Sequence, residues 1–181
     1  MTGYQQCILY LLGCRQGERF VVRCIDRWYI DAVCDLFLTN PFLQHQQSGK
    51  KDCWCIKAPL SRAPAQPQLS DVDDWQGFAR AFVELQGVLD LWKHKTKRGE
   101  PIATPRLRLY GQPDVLEAVC RSLPAATKKL QTIRTKTGTT YQIIYQSPAE
   151  IADILSHIRG DPCSRPLWSR WDQLMSGKQV D

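Results

Sequence analysis

The feature that most constrains the fold is an order of elements that occurs twice within the 181 residues. Asp31–Cys34 and Glu117–Cys120 each place an acidic residue before Ala-Val-Cys in an amphipathic helical stretch. Each stretch is followed by a turn with lysine and glycine, then by an aromatic-x-Ile strand, Trp54–Ile56 or Tyr141–Ile143, and a proline. We interpret this order as an internal duplication. Chance similarity between two short α/β stretches is the alternative.

Composition excludes several classes of protein. With 43% hydrophobic residues and six tryptophans, the chain can bury a core, which argues against disorder. No apolar run is long enough for a membrane span and no signal peptide is recognised, so we expect a cytoplasmic, organellar or nucleoid-associated protein that is not secreted. The eight cysteines lack C-x-x-C spacing, which favours reduced structural thiols over zinc. The net charge of +6 is compatible with a polyanionic partner.

A change of composition divides the chain. Prolines with serine and glutamine over 59–72 predict an extended, semi-rigid linker. The sequence therefore predicts a first half at 1–58 and a second half with C-terminal helices at 73–181.

Hydrophobic periodicity places helices and strands in both halves. In the first half it predicts helices at 4–17 and 26–37 and strands at 19–25 and 52–57. The second half repeats and extends this pattern, with helices predicted at 75–86, 113–123, 148–158 and 166–175 and strands at 88–95, 106–110, 130–136 and 139–146.

Small residues recur four positions apart in the first helix predicted for each half. They are Gly13 and Gly17 in one helix and Gly77 and Ala81 in the other. Small residues at this spacing share one helical face and let two helix backbones approach closely. Alternatively, Gly13 and Gly17 mark a tight turn into the following strand.

The second of these helices carries a recognisable motif. Arg80–Gly87, Arg-Ala-Phe-Val-Glu-Leu-Gln-Gly, resembles the R-G-F-F-D-A-D-G variant of the LAGLIDADG homing endonucleases, specifically the single-chain type with two fused pseudo-repeats. The resemblance extends over 75–175 and is weaker in the first half. It implies a mixed α+β fold with two pseudo-symmetric αββαββα-type halves, saddle-shaped antiparallel sheets and an internal pseudo-twofold axis in a monomer. Because the first half is shorter, we expect it to lack one strand.

The resemblance also implies a catalytic arrangement. In that family the residue ending each motif helix points at a scissile phosphate, and paired carboxylates there hold a divalent metal, usually Mg²⁺. By position these residues are Glu18 and Gln86, with Asp90 as a substitute metal ligand. Gln86 brings no charge, and Leu85 departs from the family's small residue. Without the resemblance, Glu18 is an ordinary solvated charge.

Strand and turn cations complete the predicted site. In this family an antiparallel sheet lies along the DNA major groove, where its side chains read base edges and neighbouring cations contact phosphates. The residues predicted to contact nucleic acid are Arg19, Arg23, Lys50, Lys51, Lys93, Lys95, Lys97, Arg98, Arg106, Arg108, Arg134 and Lys136.

Three functional hypotheses follow. The first is site-specific recognition of double-stranded DNA with metal-dependent phosphodiester cleavage. The second is an inactive relative that acts as an RNA-splicing maturase or as a DNA- or RNA-binding regulator. The third is a basic α/β interaction protein with no nucleic-acid partner.

Overall fold

The computed structural model describes residues 1–46, 50–95, 98–135, 138–160 and 166–175. They form two compact units, 1–81 and 82–181. The helices are α1 (Gly3–Leu12), α2 (Arg27–Cys34), α3 (Trp75–Gln86), α4 (Pro113–Ser122), α5 (Pro148–Ile158) and α6 (Pro166–Met175). The strands are β1 (Gly13–Gln16), β2 (Arg19–Cys24), β3 (Phe42–Gln44), β4 (Cys53–Pro59), β5 (Gly87–Lys95), β6 (Pro101–Gly111), β7 (Gln131–Thr135) and β8 (Gly138–Tyr145).

The first unit contains an antiparallel sheet in the order β1-β2-β4-β3, which we call the first sheet. Val22 lies opposite Ile56 in adjacent strands, and both are fully buried. Phe20 on the same face of β2 stacks on Phe37, just beyond α2, with ring centroids 5.9 Å apart. The predicted alternation in this strand is confirmed, since its even-numbered residues face the core and Arg19 points the other way.

The chain before β2 differs from the prediction of one long helix. The helix α1 ends at Leu12, and Gly13 opens β1, which pairs with β2. A Cβ atom at Gly13 would lie 2.4 Å from the backbone oxygen of Leu9, so a larger residue does not fit where the chain leaves the helix. Gly17 has φ of +57°, a left-handed conformation that glycine adopts readily, and it turns the chain into β2. The prediction of a helix to Gly17 is wrong, and the alternative of a tight turn is correct.

This hairpin also corrects the predicted loss of a strand. The first sheet has four strands, because β1 occupies residues assigned to the helix and β3 occupies Phe42–Gln44, which the periodicity did not identify. A strand of three residues is too short to show an alternation. The helix predicted over 26–37 ends as an α-helix at Cys34 and continues as a 3₁₀ turn to Phe37.

Within the first unit, the start of α1 lies against the residues that open α3. Asp74 caps α3 by accepting a hydrogen bond from the backbone N–H of Gly77 at 2.9 Å. The same carboxylate accepts one from the backbone N–H of Gly3 at 3.0 Å. A Cβ atom at Gly77 would lie 3.0 Å from the backbone nitrogen of Tyr4. The glycines at this contact are therefore Gly3 and Gly77.

The second unit contains an antiparallel sheet in the order β5-β6-β8-β7, the second sheet. Leu107 lies opposite Leu89 on one side and Tyr145 on the other, and all three are buried. The helices α4 and α5 contact this sheet. The strand β6 begins at Pro101 rather than at the predicted residue 106, because it pairs with β5 along the whole length of β5. In the part of the chain that the structure describes, no helix is both long and apolar enough to cross a membrane.

Candidate nucleic-acid interface

Each sheet has a face turned away from its buried core residues, and we call it the outer face. In the first sheet, pairing between strands puts Arg19, Arg23 and Lys57 on the outer face. The remaining outer-face residues of this sheet are Cys14, Gln16, Val21, Phe42, Gln44, Cys53, Cys55 and Pro59, of which Val21, Cys53 and Cys55 are themselves buried. None of the four strands, all of them described, contains an aspartate or a glutamate. This outer face is therefore cationic without a compensating carboxylate.

The cations of this face have no carboxylate partner on the strands of the sheet. Arg23 donates a hydrogen bond from Nη2 to Oε1 of Gln16 at 3.1 Å, and within the described residues its buried Nε has no acceptor. Arg19 is exposed at the start of β2. Lys57 places Nζ 5.5 Å from the ring centroid of Phe42, a cation–π contact that leaves its charge uncompensated. Arg19 and Lys57, which keep their charge uncompensated at the surface of this face, suit an anionic ligand, whereas the buried Nε of Arg23 does not reach one.

The outer face of the second sheet is organised around a carboxylate. Asp90 lies opposite Arg106 and accepts two hydrogen bonds from it, at 2.9 and 3.0 Å. The guanidinium of Arg108 donates a further short hydrogen bond to the same carboxylate. The three side chains are only 20–26% exposed. Hydrogen bonding from Arg106 is the largest cause that lowers the pKa of Asp90, although its partial burial acts in the opposite direction.

Apolar and aromatic side chains surround this ion-pair cluster. Val88 lies opposite Arg108, and Trp92 follows Asp90 on the same side of β5. The Trp92 ring stacks on His94 with centroids 4.1 Å apart and an interplanar angle of 17°. Ile102 lies opposite His94. Sequence analysis missed this cluster, because an apolar residue on a strand is assigned to the core until the partner strand fixes which face it occupies.

Two amides lie at the other side of the same outer face. Gln142 of β8 is opposite Tyr110 of β6 and also opposite Gln131 of β7. Its Nε2 donates a hydrogen bond to Oε1 of Gln131 at 3.0 Å. The pair leaves an amide group pointing from the sheet with further donor and acceptor capacity.

The remaining predicted cations do not share this surface. Lys93 and Lys95 lie in register with core-face positions of β6, and Arg134 lies opposite Thr139 on the core face of β8. These three residues therefore project from the other side of the second sheet. Lys50 and Lys51 are exposed before β4, and Arg98 is exposed in the turn before β6. Lys97 and Lys136 lie outside the described residues.

The carboxylates assigned to a metal centre are not where the sequence analysis expected them. Glu18 lies exposed in the β1–β2 turn, because the chain has left α1 at Leu12. The residues that end the two motif helices are therefore Leu12 and Gln86. Asp90 is held by two guanidinium groups, whose positive charge opposes a cation there.

Neighbouring groups do not replace these missing ligands. Glu84 of α3 accepts a hydrogen bond from Nε1 of Trp168 at 2.7 Å, which ties its carboxylate to α6. Among the described residues, no group of three or more histidine, cysteine, aspartate or glutamate side chains could hold a metal ion. Mg²⁺ requires several oxygen ligands, usually with at least one carboxylate. Neither Leu12 nor Gln86 offers a carboxylate to such a centre.

Comparison with known proteins gives a clear result for structures and none for sequences. No family model and no curated protein matches the chain. The I-LtrWI LAGLIDADG homing endonuclease bound to target DNA has a TM-score of 0.67 at 9% identity, over 96% of this chain and 88% of that one. The LAGLIDADG meganuclease I-AabMI bound to uncleaved DNA has a TM-score of 0.66 at 9% identity, over 98% of this chain and 92% of its own.

A third similar structure is the N-terminal LAGLIDADG domain of DUF199/WhiA, with a TM-score of 0.55 at 12% identity, over 88% of this chain and 82% of that domain. I-SmaMI, also similar, was solved on an uncleaved DNA target in the presence of calcium ions. At identities this low, the structural similarity shows a shared fold alone. Two four-stranded antiparallel sheets with their helices match the predicted α+β architecture, although the shorter first half keeps all four strands. The chain therefore has the fold of the LAGLIDADG homing endonucleases.

Proposed function

We propose that this protein binds double-stranded DNA and does not cut it. The observation that carries the proposal is the outer face of the first sheet, where Arg19, Arg23 and Lys57 meet no carboxylate on any of the four strands. Duplex DNA is a dense polyanion, and a β-ribbon fits its major groove. Solved structures with the same fold, I-LtrWI and I-AabMI, are bound to DNA.

The second part of the proposal rests on the helix ends. Phosphodiester hydrolysis in this fold needs carboxylates to hold the activating metal. Here Leu12 is apolar and Gln86 is a neutral amide, while Glu18 lies in a hairpin turn. We therefore expect binding without metal-dependent cleavage.

Binding is tested with short fluorescent duplexes of randomised sequence, titrated by anisotropy at increasing KCl concentrations. The logarithm of the affinity should fall linearly with the logarithm of the salt concentration, by about 0.9 for each phosphate neutralised. Arg19→Ala/Arg23→Ala should weaken binding and flatten this slope. Arg15→Ala is the matched control, because Arg15 lies on the opposite face of the same sheet and its loss should change little. Absence of binding even at low salt would refute the proposal.

Cleavage is tested on the duplexes that the protein itself selects from the randomised library. The selected DNA should stay intact with Mg²⁺ or Mn²⁺. A nick that disappears in Glu18→Gln would overturn the non-cutting part and restore the endonuclease hypothesis. Tighter binding of the same selected sequences made as RNA would assign RNA as the ligand instead.

A further inference from the structure

We propose, on the basis of the DNA binding proposed above, that the outer face of the second sheet selects A·T base pairs. It would do so by apolar contact with thymine methyl groups and amide contact with adenine. In the major groove, the C5-methyl group distinguishes thymine, and adenine presents a donor and an acceptor that a glutamine side chain matches. Guanine is read best by a free arginine. The three kinds of side chain on this face lead to the same preference.

The arginines of this face are not available for guanine. Arg106 directs two of its donors to Asp90. Arg108 donates to the same carboxylate from Nη2, its guanidinium lies 5.7 Å from the Tyr110 ring centroid, and its unpaired Nε is buried, where a base does not reach it. Turning either guanidinium toward a base would leave part of the Asp90 charge uncompensated at a site only 20% exposed. Loss of a partly buried charge pair is costly, so the arginines stay with Asp90.

The apolar side chains of this face remain exposed where a groove-bound strand meets base edges. Val88 is 37% exposed, and Trp92 and Ile102 are each 38% exposed, although all three lie on strands with a well-packed core face. Val88 and Trp92 are four residues apart on β5, which corresponds to about 13 Å, or about four base steps. This separation allows contact with more than one thymine methyl along the groove.

The amide side chains would contribute the contact with adenine. Gln142 and Gln131 are bonded to each other on this outer face, so the Gln142 side chain is already oriented by its partner. An oriented glutamine loses less side-chain entropy when it pairs with N6 and N7 of adenine. The pairing of β8 with β6 and β7 puts these amides on the same side of the sheet as Val88 and Trp92.

The charge of this face favours DNA over a protein partner of mixed charge. Across the described outer-face positions of β5 to β8, Asp90 is the sole carboxylate, and it faces Arg106 and Arg108. The face is therefore net positive around its apolar residues. A second copy of the chain would carry the same charge, so we commit to DNA as the occupant.

The methyl group itself is the probe in the first experiment. Binding of the full chain is compared between a duplex of alternating adenine and thymine and the same duplex with deoxyuridine for thymine, which lacks only the methyl. The thymine duplex should bind about fourfold more tightly for each methyl contacted. In Val88→Ala/Ile102→Ala this difference should shrink, whereas Leu43→Ala should retain it. Leu43 is a matched control, because it is 40% exposed and lies on the opposite face of the first sheet.

The second experiment removes the carboxylate charge that pairs with Arg106 and Arg108. In Asp90→Asn the two guanidinium groups lose their counter-charge, so affinity for an alternating guanine–cytosine duplex should rise relative to the adenine–thymine duplex. Equal binding of the thymine and deoxyuridine duplexes by the unmodified protein would overturn the inference and leave the proposed function standing. No binding to either duplex would refute both. A dimer that dissociates in Val88→Ala/Ile102→Ala, seen by sedimentation, would assign this face to a second copy and overturn the inference.

Discussion

The two sheets have the same strand order, but the arginines on their outer faces have different partners. On the outer face of the first sheet, Arg23 contacts the neutral amide of Gln16. On the corresponding face of the second sheet, Arg106 and Arg108 share the carboxylate of Asp90. A cation whose charge is uncompensated is available to an anionic ligand, while one held in a partly buried ion pair contributes to the fold.

This difference shows why a basic residue on a strand is weak evidence for binding. Sequence analysis treated the arginines of both sheets as equivalent contacts. The structure divides them, because one acidic residue on the neighbouring strand changes the role of two arginines. Under the proposed function, the first sheet would contact phosphates and the second sheet would select A·T base pairs.

Removing arginines should give the largest contrast between the sheets. Arg19→Ala/Arg23→Ala should weaken DNA binding about 100-fold, roughly 1.4 kcal/mol for each guanidinium. Arg106→Ala/Arg108→Ala, combined with Asp90→Ala so that no unpaired carboxylate is left on the face, should weaken binding much less, because these three charges already compensate one another. Anisotropy titrations of the two multiple variants at one salt concentration measure this contrast. Equal losses would mean that both sheets use their arginines in the same way.

The free energy of unfolding should show the reverse order, with the larger loss for a substitution in the second sheet. Asp90→Asn should lower the free energy of unfolding by about 2 kcal/mol, because it removes charge-assisted hydrogen bonds to two arginines. Arg23→Ala should cost about 0.5 kcal/mol, since its observed partner is an exposed amide. Urea unfolding of both variants provides the measurement. If Arg23→Ala proved the more damaging substitution, the assignment of structural and binding arginines would be reversed.

Acid should remove the contribution of Asp90 to the free energy of unfolding. Its pKa in the folded protein is below the ordinary 3.8, chiefly because Arg106 donates hydrogen bonds to the carboxylate. The ion pairs therefore stabilise the fold above the ordinary pKa, and this stabilisation is lost as the pH falls toward the lowered value. The difference in unfolding free energy between the unmodified protein and Asp90→Asn should stay constant down to about pH 5 and shrink as the pH falls below the ordinary 3.8. A difference that grows on acidification would contradict this origin.

The smallest effect concerns Lys57. Its ammonium group lies over the Phe42 ring, so Lys57→Met keeps the apolar stem and removes one positive charge from the first sheet. Binding should weaken about threefold and lose close to one unit of the salt slope. Lys57→Arg should restore both. No change in the slope would remove Lys57 from the interface.

Several elements followed directly from the sequence. The helix predicted over 75–86 is α3, and the last two helices also have their predicted bounds. These segments combine strong helical periodicity with clear caps, such as Ser147 and Pro148 at the start of α5. The overall LAGLIDADG fold was also predicted, from the motif at Arg80–Gly87 and the repeated order of elements.

The first half shows where that reasoning failed. Gly13 and Gly17 lie four positions apart, as small residues on one helical face do, so the helix was extended to Gly17 and the predicted catalytic position fell at Glu18. Hydrogen bonding of β1 to β2 decides this segment, and that pairing is not a local property of the sequence. The same correction replaces Glu18 by Leu12 at the end of the helix.

By itself, the sequence determined the helices of the second half, the repeated order of elements and which residues of β2 share a face. These depend on local periodicity and on caps within one segment. The tertiary structure alone decided where α1 ends and which cations share a face. It also decided that Asp90 neutralises two arginines. The register of β5 and β6 brings Asp90 next to Arg106 and Arg108, which follow it in the chain by 16 and 18 positions.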